Sequence, residues 1–317
     1  MVTAGKAPVI IILGPTAVGK TALSLKLAQK LNTEIISGDS MLVYRGLNIG
    51  TAKPTAAELA AVPHHLINIL DPGDVFNVTM FCDKSAALIK QLNNVNKLPI
   101  IAGGTGLYIK SLIEGYQFNA APEDPQYRAY LENLALKRGR LYVFSLLRDA
   151  APQTAARLHI NNFRRIIRAL EVYKYNKETI SRQKFTTGND DLFYNALVIG
   201  LNRHRADLYK RINKRVDIMM TEGWLTETKK LLQDGVSPQA QSMQAIGYRQ
   251  LTEYLQNKIT LETAVEQIKT ATRHFAKRQL TWYRKMPYIN WLEIDNLSLD
   301  ELLGKTYALV QEKFDYR

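Results

Sequence analysis

A glycine-rich loop between an apolar run and a helical pattern is the feature that most limits how this chain folds. Residues 14–21 read Gly-Pro-Thr-Ala-Val-Gly-Lys-Thr and fit the phosphate-binding pattern G-x-x-x-x-G-K-[ST]. The preceding run, 8–13, is short, apolar and β-branched, which is typical of a buried parallel strand. Leucines at 23, 27 and 31 predict one face of a following helix. This order presents loop amides and a helix N-terminus to an anion, so we predict binding of a di- or triphosphate.

Each residue type in the loop suits an anion site. Glycines let the backbone wrap closely around phosphate oxygens, and Lys20 adds a positive charge. The hydroxyl of Thr21 is predicted to hold a Mg²⁺ ion beside the phosphates. The other predicted phosphate-binding residues of the loop are Gly14, Pro15, Thr16, Ala17, Val18 and Gly19.

Further apolar runs alternate with helical patterns and predict a P-loop NTPase-like α/β fold, a mostly parallel sheet flanked by helices. Ligands of such sheets bind outside the carboxyl ends of the strands. Lys20, Asp39 and Thr105 each follow a predicted strand, so we expect them to face one crevice. The later strands of this part are predicted at 34–37, 66–70 and 98–102, with a helix at 77–93.

The pattern becomes helical in the middle of the chain. A turn-rich break at 186–191 then precedes a buried strand at 195–201. We therefore predict a mainly helical domain, residues 120–190, inserted into an α/β core formed by residues 1–119 and 191–317.

Within the insertion, residues 127–138 and 157–175 are typical of helices, whereas 141–147 fits a strand or a helix. After it, we predict long helices at 208–232 and 261–282 and a late strand at 289–294.

Charge and cysteine content limit the class of protein. The 317 residues carry 42 Lys and Arg against 29 Asp and Glu, a net charge of +13. This excess indicates an extended polyanionic partner, although a basic surface that binds nothing is an equal alternative at this point. The single cysteine, Cys82, excludes a disulfide framework and a cysteine-based zinc site. No apolar run reaches the length of a membrane span, so we expect no membrane contact.

Asp39 is the first candidate for chemistry beyond anion binding. It could cap a helix or a turn, help to hold Mg²⁺, or act as a general base beside the bound phosphates. The strand before Gly103 ends in Gly-Gly-Thr-Gly and lacks the magnesium-holding carboxylate that many NTPases of this class carry there. That absence argues against an ATPase, and Thr105 supplies a hydroxyl in its place.

Three basic runs contain interleaved aromatic residues, at 203–215, 273–285 and, more weakly, 163–168. Lys and Arg can neutralise phosphates, and aromatic or guanidinium planes can stack on unpaired bases. Any one such run is more often a solvated helix face than a nucleic-acid contact. Three of them in one basic chain favour a nucleic-acid partner.

Taken together, these motifs resemble the bacterial tRNA dimethylallyltransferases, also called tRNA isopentenyltransferases, of the IPP transferase family. The resemblance runs from about residue 8 to 292. Its segments are the loop at 14–21, Ser-Gly-Asp-Ser-Met-Leu-Val-Tyr at 37–44, 46–54, His-His-Leu at 64–66, Gly-Gly-Thr-Gly-Leu-Tyr at 103–108, 168–172, Gln-Ala-Ile-Gly-Tyr-Arg-Gln at 244–250, and 276–282.

The resemblance implies an activity. A dimethylallyl group would pass from dimethylallyl diphosphate to the exocyclic N6 amine of the adenosine just 3′ of the anticodon in tRNA, with release of diphosphate. The loop at 14–21 would hold the diphosphate, with Mg²⁺ at Thr21 and Arg211 as a further candidate. The catalytic pair would be Asp39, accepting a proton from the amine, and Thr105, bonding near it.

The resemblance also implies where tRNA binds and resolves 141–147 as helix. This chain departs from the family pattern in one tRNA-contacting run, since relatives often carry Pro and Asp where it has Ile160 and Asn162. Unlike in eukaryotic relatives, no zinc finger follows the core, which favours a bacterial, cytoplasmic protein, and we expect a monomer. Residues implied to contact the tRNA anticodon stem-loop are Asp39, Ser40, Met41, Leu42, Thr105, Arg128, Asn161, Asn162, Phe163, Arg164, Arg165, Gln244, Ala245, Ile246, Gly247, Tyr248 and Arg249.

Two other classes of function remain open on the sequence. A small-molecule or nucleoside kinase would share the loop and the sheet, and would transfer phosphate from ATP. A non-catalytic RNA-binding switch would share the basic surface and form no covalent product.

Overall fold

A computed structural model describes residues 5–116, 123–176 and 192–315 of the chain. The predicted domain boundaries near 119 and 190 and the predicted break at 186–191 lie outside these residues. The chain divides into two compact units, one formed by residues 1–115 and 186–317 and the other by residues 116–185.

A parallel sheet organises the first unit. In the described part of the chain its strands are β1 (Pro8–Leu13), β2 (Ile35–Ser37), β3 (His64–His65), β4 (Ile100–Gly103), β5 (Asn195–Asn202) and β6 (Asn290–Glu293). These six strands are all parallel and run in the order β3-β2-β4-β1-β5-β6. This arrangement confirms the predicted α/β fold class.

Apolar side chains on both faces of the central strand explain why the sheet is covered on two sides. Val9, Ile11 and Leu13 pack into one hydrophobic core, and Ile10 and Ile12 into the other. Both sets are fully buried, which is what a continuous β-branched run requires. The flanking helices are α1 (Lys20–Lys30), α2 (Ala56–Ala61), α3 (Val78–Asn94), α4 (Gly106–Ile113), α9 (Arg205–Thr221), α10 (Trp224–Gln233), α11 (Tyr248–Leu255), α12 (Leu261–Tyr283) and α13 (Leu299–Phe314).

The second unit is helical and has its own core. Leu131, Val143, Leu147, Ile166 and Leu170 are buried together. Residues 141–147 lie within a helix, as the family resemblance implied. The helices are α5 (Pro125–Arg138), α6 (Arg140–Ala150), α7 (Pro152–Ala155) and α8 (Phe163–Asn176). In the described ranges of the whole chain, no helix is both long enough and apolar enough to cross a membrane.

Two predictions of secondary structure are wrong, and a third, the helix predicted at 157–175, begins only at Phe163. Residues 66–70 do not form a strand, because Leu66 and Asn68 adopt left-handed backbone angles, φ 60° and 55°, that interrupt an extended run. The predicted helix at 208–232 is two helices, α9 and α10. The break falls at Gly223, whose φ of 100° ends one helix and lets Trp224 begin the next in a buried position.

Candidate active site

The glycine-rich loop connects β1 to α1 at the carboxyl edge of the sheet. Gly14 lies so close to β5 that a Cβ there would be 2.8 Å from the carbonyl oxygen of Leu201. Gly19, at the N-cap position of α1, has a φ of 119°, which glycine adopts without strain. The amides of the loop and of the first turn of α1 are thereby grouped at a helix N-terminus, a geometry that binds anions.

Lys20 opens α1 and folds back over the loop. Its Nζ donates hydrogen bonds to the carbonyl oxygens of Gly14 and Pro15, both at 2.9 Å. Burial and the nearby charge of Arg215 lower the pKa of Lys20 to about 8, whereas the attraction of Asp39 acts in the opposite direction. Asp39 is therefore close enough to the loop lysine to affect its ionisation.

Asp39 and Thr105 are brought together by neighbouring strands. Strand β2 ends before Asp39, strand β4 ends before Thr105, and the two strands are paired in the sheet. A Cβ on Gly103 would lie 2.3 Å from the carbonyl carbon of Gly38, so the two loops contact each other through their backbones. The two loops can come this close because glycine at position 103 has no Cβ.

The hydrogen bonds at this contact fix both side chains. The backbone N–H of Ser40 donates to Oγ1 of Thr105 at 3.1 Å, and that of Met41 donates to Oδ1 of Asp39 at 2.7 Å. Asp39 and Thr105 are each half-buried. A carboxylate and a hydroxyl are thus held side by side at the strand ends.

Two arginines on α9 face the loop. Nε of Arg211 donates to the carbonyl oxygen of Ala17 at 3.0 Å, so the predicted diphosphate ligand Arg211 contacts the loop itself. Arg215 lies one helical turn later on the same face. Burial and Arg211 lower the pKa of Arg215, and Asp39 again opposes the shift. Arg215 is accordingly a partly desolvated cation whose charge acts on both Lys20 and Asp39.

Helix α12 contributes two polar side chains that sequence reasoning missed. Oε1 of Gln279 accepts the backbone N–H of Thr16 at 2.9 Å, and Nε2 donates to the carbonyl oxygen of Gly104 at 2.8 Å. The Tyr283 hydroxyl donates to the same oxygen at 2.8 Å. Burial raises the pKa of Tyr283, and the carboxylate of Asp39 raises it further.

This arrangement places a carboxylate close to the glycine-rich loop, residues 14–21, whose geometry suits an anion. The loop amides, Lys20 and Arg215 group positive charge at the carboxyl edge of the sheet. Asp39 places a carboxylate near that charge. Such a site suits group transfer from a phosphorylated donor to a nucleophile that loses a proton.

Comparison with known proteins gives the family. The IPP transferase profile, IPPT, matches residues 42–286. The tRNA dimethylallyltransferase of Carboxydothermus hydrogenoformans is 47% identical over 296 residues, which cover 93% of this chain and 95% of the relative. This chain belongs to the IPP transferase family. A second member, the tRNA dimethylallyltransferase of Bacillus subtilis, is 47% identical over 289 residues, 91% of each chain.

Solved structures of IPP transferases share the fold. The full-length tRNA isopentenylpyrophosphate transferase of Bacillus halodurans superposes with a TM-score of 0.74 at 41% identity, covering 98% of this chain and 97% of that one. A eukaryotic dimethylallyltransferase described as acting on tRNA superposes with a TM-score of 0.81 at 29% identity, covering 96% of this chain and 78% of that one.

The residues that the IPP transferase resemblance implied as tRNA contacts have different environments. Ser40, Met41 and Leu42 are half-buried beside Asp39. In the run 244–249, Gln244 and Arg249 are exposed.

Tyr248, in the same run, is fully buried. Its hydroxyl donates to Glu227 at 2.6 Å, and its ring packs edge-on against Trp224. Tyr248 therefore stabilises the fold, and its side chain does not reach a solvent-facing surface.

The remaining implied contacts lie in the helical unit. Residues 161–165 line an open groove of about 690 Å³ together with Arg140 and Leu136. Arg128 instead faces its own unit. Its Nε and Nη2 donate to the two carboxylate oxygens of buried Glu171, at 2.8 and 2.9 Å, so its charge is already compensated there.

Thr21 fits the predicted magnesium role. Its side chain is exposed at the start of α1, next to Lys20. In the part of the chain that the structure describes, no group of three or more His, Cys, Asp or Glu side chains could hold a metal alone. Mg²⁺ needs no such group, since it commonly binds one or two protein oxygens, substrate phosphates and waters.

Sequence reasoning missed three residues, Arg215, Gln279 and Tyr283, and spacing in the sequence could have found the first. Arg215 follows Arg211 by four residues within the predicted helix at 208–232, a spacing that puts both on one face of a helix. Gln279 follows Lys277 and Arg278 in the resemblance segment 276–282, and neither the spacing nor that resemblance assigned it a role. Its role is visible only because its amide contacts loops far away in the sequence.

Proposed function

We propose that this chain transfers a dimethylallyl group from dimethylallyl diphosphate to the N6 amine of the adenosine 3′-adjacent to the anticodon in tRNA. Membership of the IPP transferase family and relatives named tRNA dimethylallyltransferase support transfer of this group to tRNA. The observation that carries the proposal is that the glycine-rich loop, Asp39 and Thr105 follow three neighbouring parallel strands, with Ser40 bonded to Thr105. The mutual effects of Asp39, Lys20 and Arg215 on the pKa values of the two cations agree with this placement.

Stabilisation of the leaving group would come from the loop. As the bond between the allylic carbon and the diphosphate oxygen lengthens, positive charge develops on carbon and negative charge on the departing oxygens. The loop amides, Lys20 and Arg215 would meet that negative charge in a partly desolvated site, where fixed charges act most strongly. Mg²⁺, held by Thr21, would neutralise further phosphate charge.

Proton transfer would fall to Asp39. The N6 amine attacks the allylic carbon with its electron pair, the carbon–oxygen bond breaks, and diphosphate leaves with the bonding pair. The amine proton then passes to the carboxylate of Asp39, while the Thr105 hydroxyl hydrogen-bonds beside it. An anticodon loop presents this adenine in a single-stranded segment, which lowers the free energy needed to extrude it.

The pH dependence of donor binding tests the role of Lys20. Because the pKa of Lys20 is lowered to about 8, the ammonium loses its proton as the pH rises through that value. We expect the affinity for dimethylallyl diphosphate in the absence of tRNA to fall between about pH 7 and about pH 9. The measurement is the dissociation constant by calorimetry at several pH values.

The matched control for this titration is Lys20→Arg, whose guanidinium stays charged over the range. A change in affinity with pH that comes from ionisation of the ligand remains in the variant. The change in affinity that comes from Lys20 disappears. Equal slopes for the two proteins would contradict the assignment.

One experiment tests the proposed function directly. The protein is incubated with unmodified tRNA and dimethylallyl diphosphate labelled in the allyl group, and label is sought in the anticodon loop. We expect label there and none in a tRNA whose adenosine at that position is replaced by guanosine. Transfer of phosphate from ATP would support the kinase alternative, and tRNA binding without any product would support the RNA-binding switch.

The predictions of a monomer acting in the cytoplasm belong to the same proposal.

A further inference from the structure

We propose that Gln279 is a positioning residue that holds the donor loop, residues 14–21, and the acceptor loop, residues 103–106, at a fixed separation. The inference rests on the proposed function, because it assigns the diphosphate donor to one loop and the tRNA base to the other. The Gln279 side chain bonds backbone groups of both loops, and it would act through them.

The amide of Gln279 spans the gap between the loops. Oε1 accepts the N–H of Thr16 at 2.9 Å, and Nε2 donates to the carbonyl oxygen of Gly104 at 2.8 Å. One end meets a donor and the other an acceptor, so only one orientation of the amide satisfies both loops. The side chain is 5% exposed, so loss of either bond would leave a buried polar group without a partner.

The link continues from Gly104 to the proposed base. Gly104 precedes Thr105, whose Oγ1 accepts the N–H of Ser40 at 3.1 Å, and Ser40 follows Asp39. A continuous path of hydrogen bonds and short backbone segments therefore joins the donor loop to the carboxylate. Within this path, the Gln279 side chain connects the N–H of Thr16 to the carbonyl oxygen of Gly104.

A second bond and close packing make the acceptor end rigid. The Tyr283 hydroxyl, one turn after Gln279 on α12, also donates to the Gly104 oxygen at 2.8 Å. A Cβ on Gly104 would lie 2.5 Å from Nε2 of Gln279 and 3.9 Å from Nζ of Lys20. The Gly104 peptide is thus held between α12 and the donor loop, with little room to move.

Allyl transfer requires such a fixed separation. The amine nitrogen and the allylic carbon react from a separation of about 3–3.5 Å, and a displacement of about 1 Å can cost about 100-fold in rate. Each substrate can still bind its own loop when the loops are displaced from each other. Loss of the link is therefore expected to lower kcat and to leave both affinities nearly unchanged.

The first test is Gln279→Leu, which keeps the volume and removes both hydrogen bonds. We expect kcat to fall by about 10- to 100-fold, with dissociation constants for pyrophosphate and for tRNA within about threefold of wild type. The matched control is Gln267→Leu, the same change at an exposed position of α12, which is expected to match wild type in all three measurements.

A double-mutant cycle keeps the inference testable if Gln279→Leu lowers stability. Gly104→Ala should by itself lower kcat, since its Cβ collides with Nε2 of Gln279. In a Gln279→Ala background that collision is absent, and adding Gly104→Ala should lower kcat by less than about threefold. Additive losses would show that the two residues act separately and would overturn the inference.

The outcomes separate this inference from the proposed function. If wild type labels tRNA and Gln279→Leu retains kcat within about threefold, positioning by Gln279 is wrong and the transferase function stands. Parallel losses of kcat, both affinities and the thermal midpoint would also overturn the inference, since they indicate a purely structural side chain. If wild type forms no labelled tRNA, the proposed function itself fails.

Discussion

Replacement of Asp39 with asparagine is expected to lower kcat by about 10²- to 10⁴-fold while the affinity for tRNA stays within about threefold. Asparagine keeps an oxygen that can accept the N–H of Met41, so the turn that positions residues 39–41 is preserved. It cannot take the proton that the N6 amine must lose. Single-turnover measurement of kcat, with tRNA affinity from filter binding, checks the prediction.

Asp39→Ala provides the comparison. It removes the base and also the bond to Met41, so it is expected to match the asparagine variant in kcat and to lose additional tRNA affinity, since residues 40–42 lie beside it. An asparagine variant that turns over at nearly the wild-type rate would exclude Asp39 as the base. The loop at 14–21 could then still hold the diphosphate, and a different group would have to accept the proton of the N6 amine.

Replacement of Lys20 with alanine is expected to lower kcat/KM for dimethylallyl diphosphate by about 10²- to 10³-fold. Lys20 is the cation that lies over the loop carbonyls of Gly14 and Pro15, and it is partly desolvated, which strengthens its interaction with an anion. Its charge acts on the bound donor and more strongly on the departing diphosphate. Both KM for the donor and kcat should therefore change, and steady-state kinetics at saturating tRNA measures them.

The control for Lys20→Ala is Lys26→Ala on the same helix. Lys26 is about half exposed and forms only a long 4.0 Å ion pair with Asp300, so its loss should leave the kinetics unchanged. An unchanged thermal midpoint for Lys20→Ala would show that the loop still folds. Unchanged kcat/KM for that variant would contradict the assignment of residues 14–21 to the diphosphate.

Local chemistry made much of the core predictable. The run 8–13, the glycine loop and the spaced leucines of α1 each specify their own structure through contacts close in the sequence. The carboxyl ends of parallel strands share one edge of a sheet, which is why the positions of Lys20, Asp39 and Thr105 just after predicted strands were enough to assign them to one crevice.

Residues 66–70 show where local reasoning failed. Their apolar composition suits a strand, but they pair irregularly with the segment that follows Asp39. The N–H groups of Asn68 and Ile69 donate to the carbonyl oxygens of Leu42 and Val43. Those bonds require left-handed angles at Leu66 and Asn68, and such angles depend on a partner segment that composition does not reveal.

The sequence by itself determined the fold class, the anion loop and the strand ends that carry Asp39 and Thr105, because neighbouring residues and strand order are sufficient for these. Only the tertiary structure brought Arg215 near Lys20 and Asp39 and set Gln279 between the two loops. The bond from Thr16 to Gln279 joins residues 263 positions apart. A hydrogen bond between a side chain and so distant a backbone group leaves no periodicity in the sequence, since it depends on how the helices pack against the completed sheet.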